Sequence, residues 1–301
     1  MRSRAPQYAI VGGFLAELKA IFLARINKVH VIHILYTEEN YALLSSSRVR
    51  KLLLKRIKVI GTVHQPASWW KVKGHLKLLN TLDGIIVLTE HDRQYLESEL
   101  TKPVVFIPHG VDVDFFCPDE NAPKQQNQFQ CLFVGNWLRN IDLLVDIIEI
   151  AHNSACTFKF NILYPKAKEG DDWRMYQMAR FQNVEFLHAL SDEELKIQYR
   201  KANVLLLPLI DCSANNAILE AMACGLPIVT SDLEPIKSYV TNEFAALLPN
   251  KSRNFLAQLE GLATGSMKLN GSAAAKFAAT NFGWDNISRK VLHLYQSFDR
   301  A

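Results

Sequence analysis

Residues 204–231 read VLLLPLIDCSANNAILEAMACGLPIVTS, and three textures follow one another along them. The apolar run VLLLPLI does not alternate, as suits a strand of a parallel sheet covered on both faces. The polar DCSANN after it reads as a loop. NAILEAMACG reads as a short helix stopped by Gly225, with Pro227 opening the next strand. In such β/α units, ligands bind beyond the carboxyl ends of the strands, where loops lead into helix N-termini. Free N–H groups and the positive end of the helix dipole favour a phosphate there. Capping of the helix by Asn215 or Asn216 is the plainer role for those side chains. Glu220 is expected in about the first turn, half-buried beside Leu219, Ala221 and Met222. A carboxylate so placed needs hydrogen-bond donors. The hydroxyls of a ribose would supply them, and a simple helix-start charge is the alternative.

The same texture recurs along the chain. VHVIHIL (29–35), KVIGTVH (58–64), GIIVLT (84–89), VVFIP (104–108), CLFVG (131–135), FKFNILY (158–164), VEFL (184–187) and PIVTS (227–231) are strand-like. Helical stretches such as EHDRQYLESEL, LLVDIIEIAHN and SDEELKIQYRKA lie between them. That rhythm predicts an α/β protein. At 301 residues, two domains are expected. The polar, proline-bearing stretch 113–128 is the best break. The expected plan is an N-terminal domain over 1–112, a linker over 113–128 and a C-terminal domain over 129–283. Residues 284–301 should form a helix packing back toward the N-terminal domain. Two doubly wound, Rossmann-like domains would then face one another across a cleft.

Composition sets further bounds. With 49% hydrophobic and 21% charged residues the chain is an ordinary globular one. It has neither a bilayer-length apolar run nor a secretory leader at its start, so a cytoplasmic protein is expected. Five scattered cysteines without C-x-x-C spacing read as reduced core thiols. Residues 1–112 hold 16 Lys and Arg against 9 Asp and Glu, and the remainder 18 against 21. The basic excess peaks in RVRKLLLKRIK (48–58), with Trp69, Trp70, Lys71 and Lys73 close behind. Peripheral contact with the inner face of an anionic membrane and a solvated helix face are equal readings of this segment. No nucleic-acid motif accompanies the charge, so nucleic acid is not an expected partner.

Several ordered phrases together resemble the family 4 retaining glycosyltransferases of the GT-B fold. They are TVHQPASWW, DGIIVLTEHDRQYLESEL, VVFIPHGVDVDFF, LFVGN, VEFLHALSDEELKIQYRKANVLLLP, LLLPLIDCSANNAILEAMACGLPIVTSD and FGWDNISRKVLHLYQ, over residues 29–298. The resemblance implies a nucleotide-sugar-dependent, hexosyltransferase-like enzyme of glycan biosynthesis. Its partners would be a nucleoside diphosphate-sugar donor and a glycan or lipid-linked acceptor. Glu220 matches the second glutamate of the family's E-x7-E motif, which holds the ribose. The first falls on Cys212, so sugar recognition differs here, or Asp211 reaches in. Ser213 to Asn216, including Asn215, replace the family's glycine-rich segment facing sugar and diphosphate. Gly135 matches the glycine of a Gly-Arg motif, Asn136 stands where the arginine belongs, and Arg139 matches the nearby lysine. Arg139 would then stabilise the diphosphate leaving group, a solvated helix-start residue being the alternative. Val184, Phe186 and His188 are expected to line the base, His188 having a structural role as alternative.

In GTVHQPASWW, the resemblance gives His64 contact with the donor sugar or acceptor, and proton handling. Glu38 and Glu39 are weaker acceptor-binding candidates. The family's opening strand and glycine-rich loop have no counterpart beyond Gly12-Gly13, so the N-terminal domain looks abbreviated. A protein partner or homo-oligomer completing an exposed sheet edge would be physically reasonable. No cofactor is expected, and no metal, since no Asp-x-Asp stands at a strand end. A nucleotide-sugar-binding protein without turnover, acting as a regulatory or assembly partner, is the second reading. A sugar-nucleotide epimerase is the third, and lacks the acid/base residues it would need.

Overall fold

The computed structural model describes residues 7–73, 76–119, 128–165 and 172–299. The chain forms two compact units, Met1–Pro108 with Ile287–Ala301, and His109–Asn286. Among the described residues no helix is long and apolar enough to cross a membrane.

The first unit begins with α1 (Gln7–Ile26), which takes in Gly12 and Gly13. Strands β1 (Val31–Ile34), β2 (Lys58–Val63), β3 (Gly84–Val87) and β4 (Val104–Phe106) follow, all parallel and in the spatial order β1-β2-β3-β4. Between them lie α2 (Ser47–Leu53), α3 (Ala67–Lys73), α4 (Leu76–Leu79) and α5 (Glu90–Glu99). An order without reversal, with right-handed crossovers, sends every crossover helix to one face. Val59, Val63, Ile85 and Val87 point to that face and pack with Leu79 and Leu96. Ile60 and Ile86, one residue out of step, point to the other. That face is covered by the C-terminal helix Trp284–Asp299, through Ile287, Val291, Leu294, Tyr295 and Phe298.

Buried carboxylates pin the loops of this unit. Glu17 of α1 accepts the amide hydrogens of Ala42, Leu43 and Leu44 at 3.0, 3.2 and 2.6 Å. Asp92 accepts from the Ala67 amide at 2.8 Å and the Thr89 hydroxyl at 2.7 Å, joining the starts of α3 and α5. The basic stretch 48–58 is not one amphipathic helix. Its helix, α2, spans seven residues and buries none, Leu54 is core, and Lys58 already belongs to β2. Trp70 is 1% exposed, so it is a core side chain and not an anchor at a membrane surface.

The second unit holds β5 (Phe129–Val134), β6 (Phe158–Leu163), β7 (Val184–Leu187), β8 (Val204–Leu207), β9 (Ile228–Ser231) and β10 (Ala245–Leu248). All are parallel, in the order β10-β9-β8-β5-β6-β7. Its helices are α6 (Ile141–Ala151), α7 (Trp173–Ala179), α8 (Asp192–Lys201), α9 (Asn216–Ala223), α10 (Ser252–Thr264) and α11 (Gly271–Phe282). The strand order reverses between β5 and β8, which makes their carboxyl ends a topological switch point. Leu132, Leu144, Ile147, Ile148, Leu205, Leu206 and Val229 make up the centre of one continuous core. Of the expected linker, residues 120–127 lie outside the described ones. Its earlier part belongs to this unit: Val113 and Phe116 pack on the core, and Arg200 Nε donates to the Cys117 carbonyl at 2.8 Å. All five cysteines are free thiols, with Cys131, Cys212 and Cys224 buried.

Candidate functional site

The loops leaving β5 and β8 are stitched together at the switch point. Arg139 and Leu209 form an antiparallel bridge, the Asn140 amide donates to Pro208 at 2.9 Å, and the Ile210 amide donates to Leu138 at 2.9 Å. Two residues with positive φ turn the first loop, Gly135 at 88° and Leu138 at 57°. Gly135 serves a second purpose, since a Cβ there would stand 3.2 Å from Arg139 Nη2. The chain then enters α6, whose cap is Asn140, its side chain accepting from the Leu143 amide at 3.1 Å.

Arg139 is therefore not a solvated helix-start residue. Its guanidinium folds back under the loop, Nε donating to the Val134 carbonyl at 3.0 Å and Nη1 to the Trp137 carbonyl at 3.0 Å. Nη2 donates to Asn215 Oδ1 at 3.2 Å. These acceptors are neutral, and among the described residues Arg139 has no carboxylate partner. Three of five N–H donors are used, leaving one on each terminal nitrogen. Burial lowers its pKa from the ordinary arginine value, yet a guanidinium stays charged in a protein. The site thus holds a cation that no carboxylate among the described residues neutralises.

Asn215 occupies the N-cap position of α9, but its side chain makes no capping bond. Its oxygen serves Arg139 instead, which corrects the capping role, and the first amides of α9 have no side-chain acceptor from it. Asn216, the first helical residue, is exposed, whereas Ser213 and Asn215 are buried. Cys212 is 2% exposed, its thiol donating to the Ser213 carbonyl at 2.7 Å. Asp211 Oδ1 accepts from the Cys212 amide at 2.7 Å, so this carboxylate braces its own loop. Asn136 is half-buried beside the turn and carries no charge.

Glu220 lies in the second turn of α9, one turn further in than the sequence suggests. Its Oε2 accepts from the hydroxyl of Tyr199, a fully buried side chain of α8, at 2.7 Å. The other oxygen makes no hydrogen bond among the described residues. Burial raises the Glu220 pKa to about 7, against the opposing effect of the Tyr199 bond. Burial and the adjacent carboxylate push the Tyr199 phenol well up, so it is a neutral donor. Tyr199, which holds Glu220, is the residue of this site that the sequence reading misses. Its one signal is its place four residues after Leu195, on the apolar face of an otherwise polar helix.

β7 is an edge strand, and Val184 stands at its amino end. Ligands gather at the opposite end, about 10 Å away over a strand this long. Val184 and Phe186 are both partly buried and pack on the core. His188, just past the carboxyl end, stacks on Phe186 with ring planes 2° apart and lies 3.4 Å from the Tyr164 carbonyl.

In the first unit, His64 follows the last residue of β2, stacked on Tyr36 with centroids 4.1 Å apart. Glu38 Oε1 accepts the amide hydrogens of His64 and of Gln65, the latter at 2.8 Å. Glu38 thus fixes the loop that carries His64. Its Oε2 is buried without a hydrogen bond among the described residues, and burial holds its pKa above the ordinary value. Glu39 is exposed.

Two units of parallel sheet flanked by helices, one with its polar loops at a switch point, define the GT-B class of Rossmann-like proteins. Residues 128–264 match the model of the family Glycosyl transferases group 1. O-antigen chain mannosyltransferase RfbU of Salmonella typhimurium is 33% identical over 79 residues, 26% of this chain and 22% of that protein. Phosphatidyl-myo-inositol mannosyltransferase of Mycobacterium leprae is 23% identical and covers 71% of this chain and 59% of its own. The chain therefore spans between a fifth and three fifths of the length of these relatives. Sucrose-phosphate synthase of Thermosynechococcus elongatus superposes with a TM-score of 0.76 at 20% identity, over 96% of this chain and 78% of its own.

Proposed function

We propose that this chain transfers a sugar from a nucleoside diphosphate donor to a hydroxyl acceptor, with retention at the anomeric carbon. The observation that carries the reading is the Arg139 guanidinium, half-buried at a switch point and bonded only to neutral acceptors. A charge drawn partly out of water without a counter-charge is costly, and a diphosphate bound there offsets that cost while using the two remaining N–H donors. The uncapped amides at the start of α9 add neutral donors on the same side. Glu220, with one oxygen fixed by Tyr199, keeps the other for a ribose hydroxyl.

In the transfer, the anomeric carbon–oxygen bond to the diphosphate breaks as the acceptor oxygen attacks from the same face, and the acceptor proton passes to the departing phosphate. Arg139 stabilises the negative charge that develops, so this reading calls for no metal. His64, on a loop fixed by Glu38, contacts the transferred sugar or the acceptor. The relatives' names motivate a glycan or lipid-linked glycan as acceptor, and the basic first unit motivates peripheral contact with an anionic membrane. One observation favours the second reading, donor binding without turnover. Cys212 buries its thiol where the resemblance places a sugar-binding glutamate.

Calorimetry with uridine and guanosine diphosphates tests the donor site. One of them binds, and Arg139→Gln weakens it about 10- to 100-fold, the ~1.5–3 kcal/mol of hydrogen bonds to a charged group. Unchanged affinity in that variant sinks the proposal. Diphosphate release on adding sugar donor and acceptor, with product configuration read by NMR, separates transfer from silent binding.

A further inference from the structure

We infer that the first unit carries a second anion site, a pocket for a compound bearing two or more phosphate groups, at the amino ends of its strands. A cavity of about 630 Å³ lies there, lined by Arg50, Lys51, Lys55, Arg56, Lys58 and Lys102. The cations converge from three places: the end of α2, the turn into β2, and the turn into β4. The carboxylate in the lining, Asp83, is already engaged by Arg50 and by the Val59 amide. The other five cations make no ion pair among the described residues. Arg50 and Lys51 sit in the last turn of α2, where the helix dipole favours positive charge. No such local cause accounts for Lys55, Arg56, Lys58 and Lys102. A solvated face would spread like charges over a convex surface. Here they surround a concavity, and a concavity lined by one sign of charge concentrates counter-ions.

The pocket is separate from the His64 loop. Lys58 opens β2 and His64 follows its last residue, about 20 Å further along the strand. A ligand here would leave the His64 end of the sheet open. The phosphates can belong to a soluble compound or to a lipid headgroup, and the chemistry they ask of the pocket is the same.

The test uses the full chain with inorganic pyrophosphate in calorimetry, and sedimentation with vesicles of cardiolipin, whose headgroup carries two phosphates, in phosphatidylcholine. Saturable pyrophosphate binding is expected that Arg139→Gln leaves in place. The Lys58→Gln/Lys102→Gln double variant weakens it at least about tenfold, and Lys58→Arg/Lys102→Arg restores it. Raising salt from about 50 to about 300 mM weakens it as well, since both groups are solvent-accessible. Urea midpoints of the double variants report whether the fold is kept. Vesicle binding lost in the glutamine variant, without pyrophosphate binding, assigns the pocket to a headgroup. If both probes bind and both are lost, the pocket accepts the phosphates in either setting. Failure of both probes, or binding indifferent to the glutamine variant, overturns the inference.

Discussion

Glu220→Gln should stabilise the second unit by an amount that grows as pH rises from about 4.5 to about 7 and is constant above. The native carboxyl titrates near 7, against an ordinary value of 4.5, because burial opposes its charge. Below about pH 4.5 the group is protonated in native and unfolded chains alike, and its native environment costs nothing. Between 4.5 and 7 the unfolded chain ionises first. Stability present in acid is lost progressively and is fully gone above about 7. At about 1.4 kcal/mol per pH unit, the gap sets an upper bound of about 3 kcal/mol. Glutamine keeps a carbonyl oxygen for the Tyr199 hydroxyl and removes the ionisation. The variant should therefore match the wild type near pH 4.5 and exceed it by up to about 3 kcal/mol at pH 8, roughly 6–12 °C in Tm. Urea denaturation of both proteins across this range is the assay, and only their difference is read, so other titrating groups cancel. A difference that stays flat with pH, or grows toward acid, would refute the burial argument and with it the account of how Glu220 is held.

Two further predictions concern stability elsewhere. His33 lies between the Tyr295 hydroxyl and the Thr62 hydroxyl, both at 2.7 Å, and burial lowers its pKa to about 4. Protonation then favours the unfolded chain, so stability present above about 6.5 is lost toward pH 4, by up to about 3 kcal/mol. His33→Gln should flatten that acid limb in urea denaturation, and an unchanged limb would exclude His33 as its source. A Cβ on Gly271 would collide with the Gly225 carbonyl, whereas one on Gly12 meets nothing. Thermal melts should show Gly271→Ala losing about 1–3 kcal/mol and Gly12→Ala gaining about 0.5–1 kcal/mol as a helix-interior glycine is replaced. Equal effects would contradict both assignments.

Much of this architecture is legible in the residues because parallel strands buried on both faces are spelled as uninterrupted Val, Ile and Leu. The strands expected at VHVIHIL through PIVTS all form. β10 escapes because AALL carries no β-branched residue, and α1 because paired glycines disguise a helix. At the site, the loop after VLLLPLI and the half-buried Glu220 are readable from a local strand-loop-helix pattern. What is not readable depends on partners distant in sequence. Asn215 gives up capping for Arg139, 76 residues earlier, and Tyr199 meets Glu220 from a different helix. Neither pairing leaves a periodicity, since each is decided by the strand order that brings β5 beside β8. Trp70 misleads in the same way: beside Lys71 it reads as interfacial, and only the packing of α3 shows it to be core.

The cover over Ile60, Ile86 and Ile107 comes from the final helix, so the first unit is encoded in two pieces separated by the whole of the second. On the ribosome, the early strands emerge and then wait roughly ten to forty seconds, at bacterial-to-eukaryotic elongation speeds, for the residues that will sheathe them. During that interval one side of the nascent sheet is a greasy surface without a lid, open to holdase chaperones or to self-association. Maturation of the first unit is thus timed by the synthesis of the helix Trp284–Asp299.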